Sequence, residues 1–476
     1  MKIASSKYFV LHVLICAAIT AYYYAPALDN FFLYDDYNFL GHTGEGLTTF
    51  LLKASNLRLF GNYIMWVNLK LFGTNHTAYN LFDILVHSLN LTLLYLLMKT
   101  ITGNEKFACV ASAVFAAMSV YGDAVLYKAA VSTVMDVSFY CLTLLFYLKG
   151  KENVRFYYGS LLTFMLGMLV KEECASLPVM IVFIEVVIYR NVSGLKGVLK
   201  RITPYSLMIA AYIVASITQS RYNNVRQYEF ETASSFSPIR TLVGGFYSFF
   251  LQPDGVSIHP VALLSLLALL VALALYVSNN KRIMLFGLGW VFIAFLPQSY
   301  SASTSLNPLL IILSMSRHLY IPSIGAAIVI ASVLLFSFDA RRRYAIDAAV
   351  IGALSLLVLY NGPLIHYRSM LWGHNERSIE MRHFLHALNE KVSAMEYGAY
   401  VLVDDPPARR AEMTGALQAF FPDHLIYIDD PSKVSLKGIR TVFFIHNTVK
   451  YDNKIQLTRI DAAELSKFKV MYSNDR

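Results

Sequence analysis

The chain has 476 residues, 56% of them hydrophobic and only 15% charged, with a mean hydropathy of +0.49. Soluble domains carry about 25% charged residues, so this composition excludes a soluble enzyme, a disordered chain and a collagen-like fibre. The net charge of +9 comes from basic residues scattered between apolar runs. They form no polybasic stripe, which excludes nucleic acid as a partner.

A helix needs roughly 20 apolar residues to cross the hydrocarbon core of a bilayer. In chain order, eleven stretches read as spans: 8–27, 78–98, 107–121, 129–148, 156–170, 174–189, 203–219, 260–277, 283–297, 318–337 and 344–361. The first lacks a small-residue cleavage site and ends in Tyr22, Tyr23, Tyr24 and Pro26. It therefore reads as a helix with an aromatic interfacial end and not as a signal peptide. Short connections on one side carry 16 basic residues, from Lys2 and Lys7 to Arg341, Arg342 and Arg343, against nine in longer loops opposite. That asymmetry places the N-terminus in the cytoplasm and, after eleven spans, the C-terminal segment outside.

The expected architecture is an α-helical polytopic membrane protein. Residues 1–361 form the membrane unit, with outer loops 28–77, 121–128, 220–259 and 298–317. Within the third loop, 238–251 is apolar but too short to span, so it is expected to lie in the interface or re-enter. Residues 362–476 read as a small extracytoplasmic α/β domain: a helix at 374–392, a strand at 398–405, a helix at 409–421, and strands at 425–429 and 441–446. No internal repeat is present. Cys16, Cys109, Cys141 and Cys174 all sit in apolar segments without CxxC spacing, which indicates neither a disulfide framework nor a zinc site.

The strongest local signal is DNFFLYDDYNFL, residues 29–40. Asp35 and Asp36 stand just beyond the first span among Phe31, Phe32, Tyr34, Tyr37 and Phe39. Carboxylates beside a low-dielectric wall make capable general bases. The competing explanation is a solvated polar turn. Charges inside or beside spans are a second signal, because intramembrane ionisable groups are costly. Asp83 and His87 share a helical face with Asn90, Asp136 lies in the fourth span, and Lys171, Glu172 and Glu173 separate the fifth from the sixth. Arg317 and His318 open the tenth. Helix–helix hydrogen bonding competes as an account of His87, Asn90 and Asp136. Lys171 and Arg317 are cations at the expected outer face, where a lipid phosphate sits and pairs with such groups. Arg58, before the amphipathic stretch 59–73, is a third such cation, and Arg221 and Arg226 are weaker ones. Nucleotide-binding, zinc-protease and serine-hydrolase motifs are all missing.

Five stretches in this order resemble the glycosyltransferase-C superfamily, and most closely its protein O-mannosyltransferase branch. They are FFLYDDYNFL (31–40), LRLFGNYIMWVNLKLFGTNHTAYNLFDILVHSLN (57–90), YGDAVLYKAAVSTVMD (121–136), LGMLVKEECASLPVMIVFIE (166–185) and SRHLYIPSIG (316–325). Such enzymes take a sugar from a polyprenyl-phosphate carrier at the outer membrane face. The resemblance implies that Asp35 is the catalytic base and that Asp36 fills the neighbouring acidic position. The family's lysine–glutamate pair falls on Lys171 and Glu172, and its arginine before an aromatic helix start on Arg317, with Tyr320 behind it. Arg58 stands where the family often has Arg-Pro, with Leu59 in place of the proline. The tail, a short α/β piece, departs from helical-repeat tails.

The expectation is thus an inverting transferase of a bacterial inner membrane. It moves a monosaccharide from a polyprenyl phosphate to a hydroxyl of a protein or glycan acceptor. Arg58, Lys171 and Arg317 would hold the lipid phosphate, with Glu172, His87, Tyr320, His318 and Arg221 binding or supporting. Arginine and lysine suffice for a monophosphate leaving group, so no metal is obligatory, although Asp35 and Asp36 together also suit a divalent cation. The rival readings are a flippase for lipid-linked sugars, an inactive binding relative, and a polymerase or ligase using diphosphate-linked oligosaccharides through the arginines of 220–259.

Overall fold

The computed structural model describes residues 7–42, 44–53, 57–191, 194–223, 280–297, 316–336, 343–373, 376–395, 399–404, 406–422, 425–428, 441–447 and 455–461. Helices dominate. In chain order they are α1 (Lys7–Tyr24), α2 (Asp35–Leu40), α3 (Leu47–Lys53), α4 (Leu59–Phe72), α5 (His76–Thr102), α6 (Glu105–Ala116), α7 (Gly122–Leu126), α8 (Val131–Lys149), α9 (Val154–Val170), α10 (Leu177–Phe183), α11 (Leu195–Asn223), α12 (Lys281–Phe295), α13 (Tyr320–Phe336), α14 (Arg343–Gly373), α15 (Glu376–Asn389) and α16 (Arg410–Phe420).

Among the described residues, six segments are long and apolar enough to cross a membrane: Lys7–Asp29, His76–Thr102, Lys128–Lys149, Leu195–Thr218, Ser316–Leu335 and Ile346–Leu371. Val154–Val170 is apolar but shorter. The count of eleven is therefore not reached among the described residues. The stretch expected at 107–121 contains the 12-residue helix α6, about 18 Å long against a hydrocarbon core of about 30 Å. It is apolar because it is buried on every side: Phe107 to Ala116 are all inside. The stretch at 174–189 breaks into a 3-10 turn (Glu172–Ser176), α10 and a π turn (Ile184–Ile188). That at 283–297 holds the 15-residue α12. The span expected at 260–277 and the apolar stretch 238–251 lie outside the described residues.

Sequence periodicity explains which faces pack. Along α5, Leu81, Leu85 and Leu89 are at least 47% exposed, while Asp83, His87, Asn90 and Leu94 are buried. An apolar face turned outward and polar groups turned inward is the arrangement of a helix in lipid. The main core gathers side chains of α1, α5, α6, α8, α12 and α13, with Trp290 and Tyr320 fully enclosed.

The last long helix, α14, continues to Gly373, so the boundary expected at 361 falls inside it. Beyond it, β1 (Ala399–Asp404), β2 (Leu425–Ile428), β3 (Thr441–Asn447) and β4 (Ile455–Asp461) form one sheet in the order β2-β1-β3-β4. β1 runs parallel to both β2 and β3, and β4 pairs antiparallel with β3. The strand β4 gave no clear sequence signal. A second core joins this region to the first loop: Phe31, Phe32, Tyr37 and Leu40 pack with Met413, Ala416, Leu417 and Phe421.

Candidate functional site

The site begins with a tight turn. Asp36 N–H donates to Leu33 O (3.1 Å), and Tyr34 between them has φ 50° and ψ −118°. That backbone conformation suits glycine, and a side chain there costs about 1–3 kcal/mol. Neighbouring bonds hold the turn despite it. Tyr34→Gly is therefore expected to be more stable than Tyr34→Ala by about 1 kcal/mol, reversing the usual order of these two residues. Thermal unfolding of the two variants in the same detergent checks this.

The turn separates the two carboxylates. Asp36 is 5% exposed, and both of its oxygens are engaged: Oδ2 accepts from Leu33 N–H (2.9 Å) and Oδ1 from Ala129 N–H (2.8 Å). Asp35 is exposed and begins α2. Its N–H donates to the Tyr127 hydroxyl (3.2 Å), Tyr127 also hydrogen-bonds its carboxylate, and Asn38 Nδ2 donates to its Oδ1 (3.3 Å). Burial, with the charges of Asp36 and Asp35, pushes the Tyr127 phenol upward, so it stays a donor. Asp36 ties α2 to the start of α8, and Asp35 is the carboxylate left exposed.

Burial pushes the Asp36 carboxyl up to about 6, against the pull of Lys128 and the two backbone donors. Between pH about 4 and about 6 the folded chain holds a proton that the unfolded chain releases. Stability from this group therefore falls as pH rises through that window and is level above it. Asp36→Asn should lack this slope, which thermal unfolding of both proteins from pH 4 to 7 would show.

Lys128 is the residue that sequence reasoning missed. It is 4% exposed; its Nζ donates to Phe31 O (3.0 Å), sits 5.4 Å from the Phe32 ring, and lies within charge range of Asp36 and Asp83. A lysine heading an apolar span was the available signal.

One helical turn along α8 lies the cationic half. Thr133 Oγ1 accepts from Lys171 Nζ (2.9 Å), which pairs with Glu173 (2.5 Å) and approaches His318 Nδ1 (3.4 Å). His318 also contacts Glu173 (3.1 Å). Arg58 grips Glu172 bidentately, at 2.9 and 2.5 Å. Burial raises both glutamates' pKa, but the adjacent cations prevail. Arg58 brings Glu172 down to about 2, and Lys171 with His318 keeps Glu173 below the usual range. Arg317 is half-buried in the turn Ser316–Leu319 and makes no ion pair among the described residues. Behind it, Arg368 of α14 donates to Ser316 Oγ (2.6 Å) and pairs with Asp123 (3.7 Å).

Asp36 through Ala129 and Lys171 through Thr133 thus meet the start of α8; Asp35 and Glu172 flank them in sequence, Arg58 joins through Glu172, and His318, preceded by Arg317, joins through Lys171. His87 and Tyr320 are brought together elsewhere. They hydrogen-bond each other within the bundle, and Asn90 donates to Tyr320 (3.3 Å) and Val134 O (2.8 Å). These bonds tie α5, α8 and α13 together. Arg221 lies near the end of α11, and Arg226 and Arg240 fall outside the described residues. Both Asp36 oxygens already accept a backbone N–H, so a divalent cation at the pair would share Asp36 with those donors. Among the described residues no cluster of three or more potential metal ligands occurs.

Residues 58–218 match the family model of dolichyl-phosphate-mannose-protein mannosyltransferase. The chain resembles the glycosyltransferase-C enzymes. The matched segment holds Arg58, His87, Lys171 and Glu172 but not the turn that carries Asp35. Among solved structures, the Archaeoglobus fulgidus oligosaccharyltransferase is similar in its apo form (TM-score 0.46, 11% identity, 91% of this chain and 66% of that one). The same enzyme tethered to an acceptor peptide with an NVT sequon is similar at TM-score 0.43 and 12% identity, over 90% and 65%. This chain thus spans about two thirds of their length, and at that distance the likeness says nothing about substrate or acceptor. No curated protein matches the chain.

Proposed function

We propose that the chain is an inverting glycosyltransferase that moves a monosaccharide from a polyprenyl phosphate to an acceptor hydroxyl. The observation that carries this reading is one exposed carboxylate, Asp35, held by Tyr127 just before α8, with Lys171 held by Thr133 in the first turn of the same helix. As the acceptor oxygen attacks the anomeric carbon, its proton passes to Asp35 and the bond to the carrier phosphate breaks. Charge then grows on the phosphate, and Lys171, Arg317 and Arg58 stabilise it.

The reading takes a monophosphate carrier, whose single phosphate Lys171, Arg317 and Arg58 can pair with. The reaction side is the outer face of a bacterial inner membrane, with the N-terminus cytoplasmic, and the acceptor is a surface protein or a glycan. Intact-mass glycoproteomics of cells carrying only Asp35→Asn protein at wild-type membrane levels tests this. Loss of one discrete sugar mass from protein, lipid or polysaccharide supports it. An unchanged profile in all three fractions rejects it and favours a flippase.

A further inference from the structure

The region after α14 reaches back onto the turn that carries Asp35. Arg382 of α15 binds Asp29 through two nitrogens (3.1 and 3.2 Å) and Ser378 donates to Phe32 O (3.4 Å), while Ser369, still within α14, donates to Asn30 Oδ1 (3.1 Å). Phe420, at the end of α16, stands 6.0 Å from the Phe31 ring and 6.3 Å from Phe32. The tightest contact is backbone to backbone. A β-carbon on Gly415 of α16 would stand 1.9 Å from the Tyr37 carbonyl oxygen and 2.7 Å from its carbon. One on Gly41, which ends α2, would stand 2.9 Å from the Gly415 α-carbon. Real β-carbons do not approach backbone that closely, so α2 and α16 can cross here only because both positions are glycine. Tyr37 lies two residues from Asp35, and α2 is a six-residue helix. A displacement at Tyr37 is therefore passed to Asp35 as a rigid-body shift.

We infer that α16 is the seat of α2, and that Gly415 and Gly41 are positioning residues that set where the Asp35 carboxylate stands. This rests on the reading of Asp35 as the base. On that footing the α/β region completes the catalytic site, whatever it does for the acceptor.

The test uses full-length protein with Gly415→Ala, Gly41→Ala, the double variant, and Gly197→Ala as a control with open space around it. Hydrogen exchange is read over residues 31–42, where Gly41 N–H bonds to Tyr37 O. Transfer is read with dolichyl-phosphate mannose as the donor probe. Both single variants should exchange at least about 10-fold faster in that segment, with α5 unchanged. Each should lose about 10- to 100-fold in kcat, since an ångström of misplacement is worth that much, with donor KM within about 2-fold. The double variant should lose far less than the product of the two, because both act on one contact. Unchanged exchange at 31–42, or faster exchange there with full kcat, overturns the inference. If Asp35→Asn transfers normally, the reading of Asp35 fails instead; in that case, or if the probe is not a substrate, exchange alone decides whether α16 seats α2.

Discussion

Asp35→Asn is expected to lower transfer by about 10²- to 10⁴-fold while leaving protein level, thermal stability and donor KM close to wild type. General-base assistance contributes a factor of that size. The side chain is exposed and its carboxylate bonds only to Tyr127 and Asn38 among the contacts that define the turn, so amide replacement leaves the fold intact. The comparison that gives this result meaning is Asp36→Asn. There a buried oxygen that accepts a backbone N–H becomes an NH₂ facing a donor, and one of two anchors of α2 is lost. An unsatisfied buried group costs about 1–3 kcal/mol, so Asp36→Asn should lower unfolding temperature at neutral pH as well as kcat. A pair of adjacent aspartates thus separates into one group whose loss is chemical and one whose loss is structural. Equal unfolding temperatures for the two variants would show that this division is wrong.

The division was not legible in the residues themselves; only the family resemblance singled out Asp35 as the base. Composition and hydropathy reveal a membrane chain, and the aromatic setting of DNFFLYDDYNFL singles out the acidic pair, because these signals are local. Which aspartate stays exposed depends on a turn at Tyr34 whose conformation its own residue type disfavours. It depends too on Ala129 and Lys128, some 90 residues away in the chain. Span counting failed for a related reason. The helix α6 is apolar because protein surrounds it, and hydropathy does not distinguish a protein environment from lipid. His87 and Tyr320 show the same limit. Both carry polar groups at helix-facing positions, yet their partners are each other, and the cluster fastens helices. The glycine pair that joins α2 to α16 is silent in the sequence, since Gly41 and Gly415 lie in segments with no shared pattern.

Lys171→Met should be the most damaging single change to the cationic half, for two separable reasons. Lys171 is 3% exposed and pairs at 2.5 Å with Glu173, itself 3% exposed, while Asp136 is fully buried nearby and bonded to Cys174 (2.9 Å). Removing the ammonium leaves buried carboxylates without their main counter-charge, and breaking such a pair costs about 3–5 kcal/mol. Glu173 would recover part of that by taking up a proton, since Lys171 is the largest influence opposing the upward push of burial. The membrane level of Lys171→Met should therefore fall severalfold. The double variant Lys171→Met with Glu173→Gln removes both charges together, and level and unfolding temperature should return most of the way. Transfer should not return: without a cation against the departing phosphate it stays at least about 10²-fold down, the cost typical of one lost charge-stabilising group. A structural cation and a phosphate-binding cation predict the same single variant but opposite double variants. Recovery of transfer in the double would assign Lys171 to the fold alone and leave the leaving group to Arg317 and Arg58.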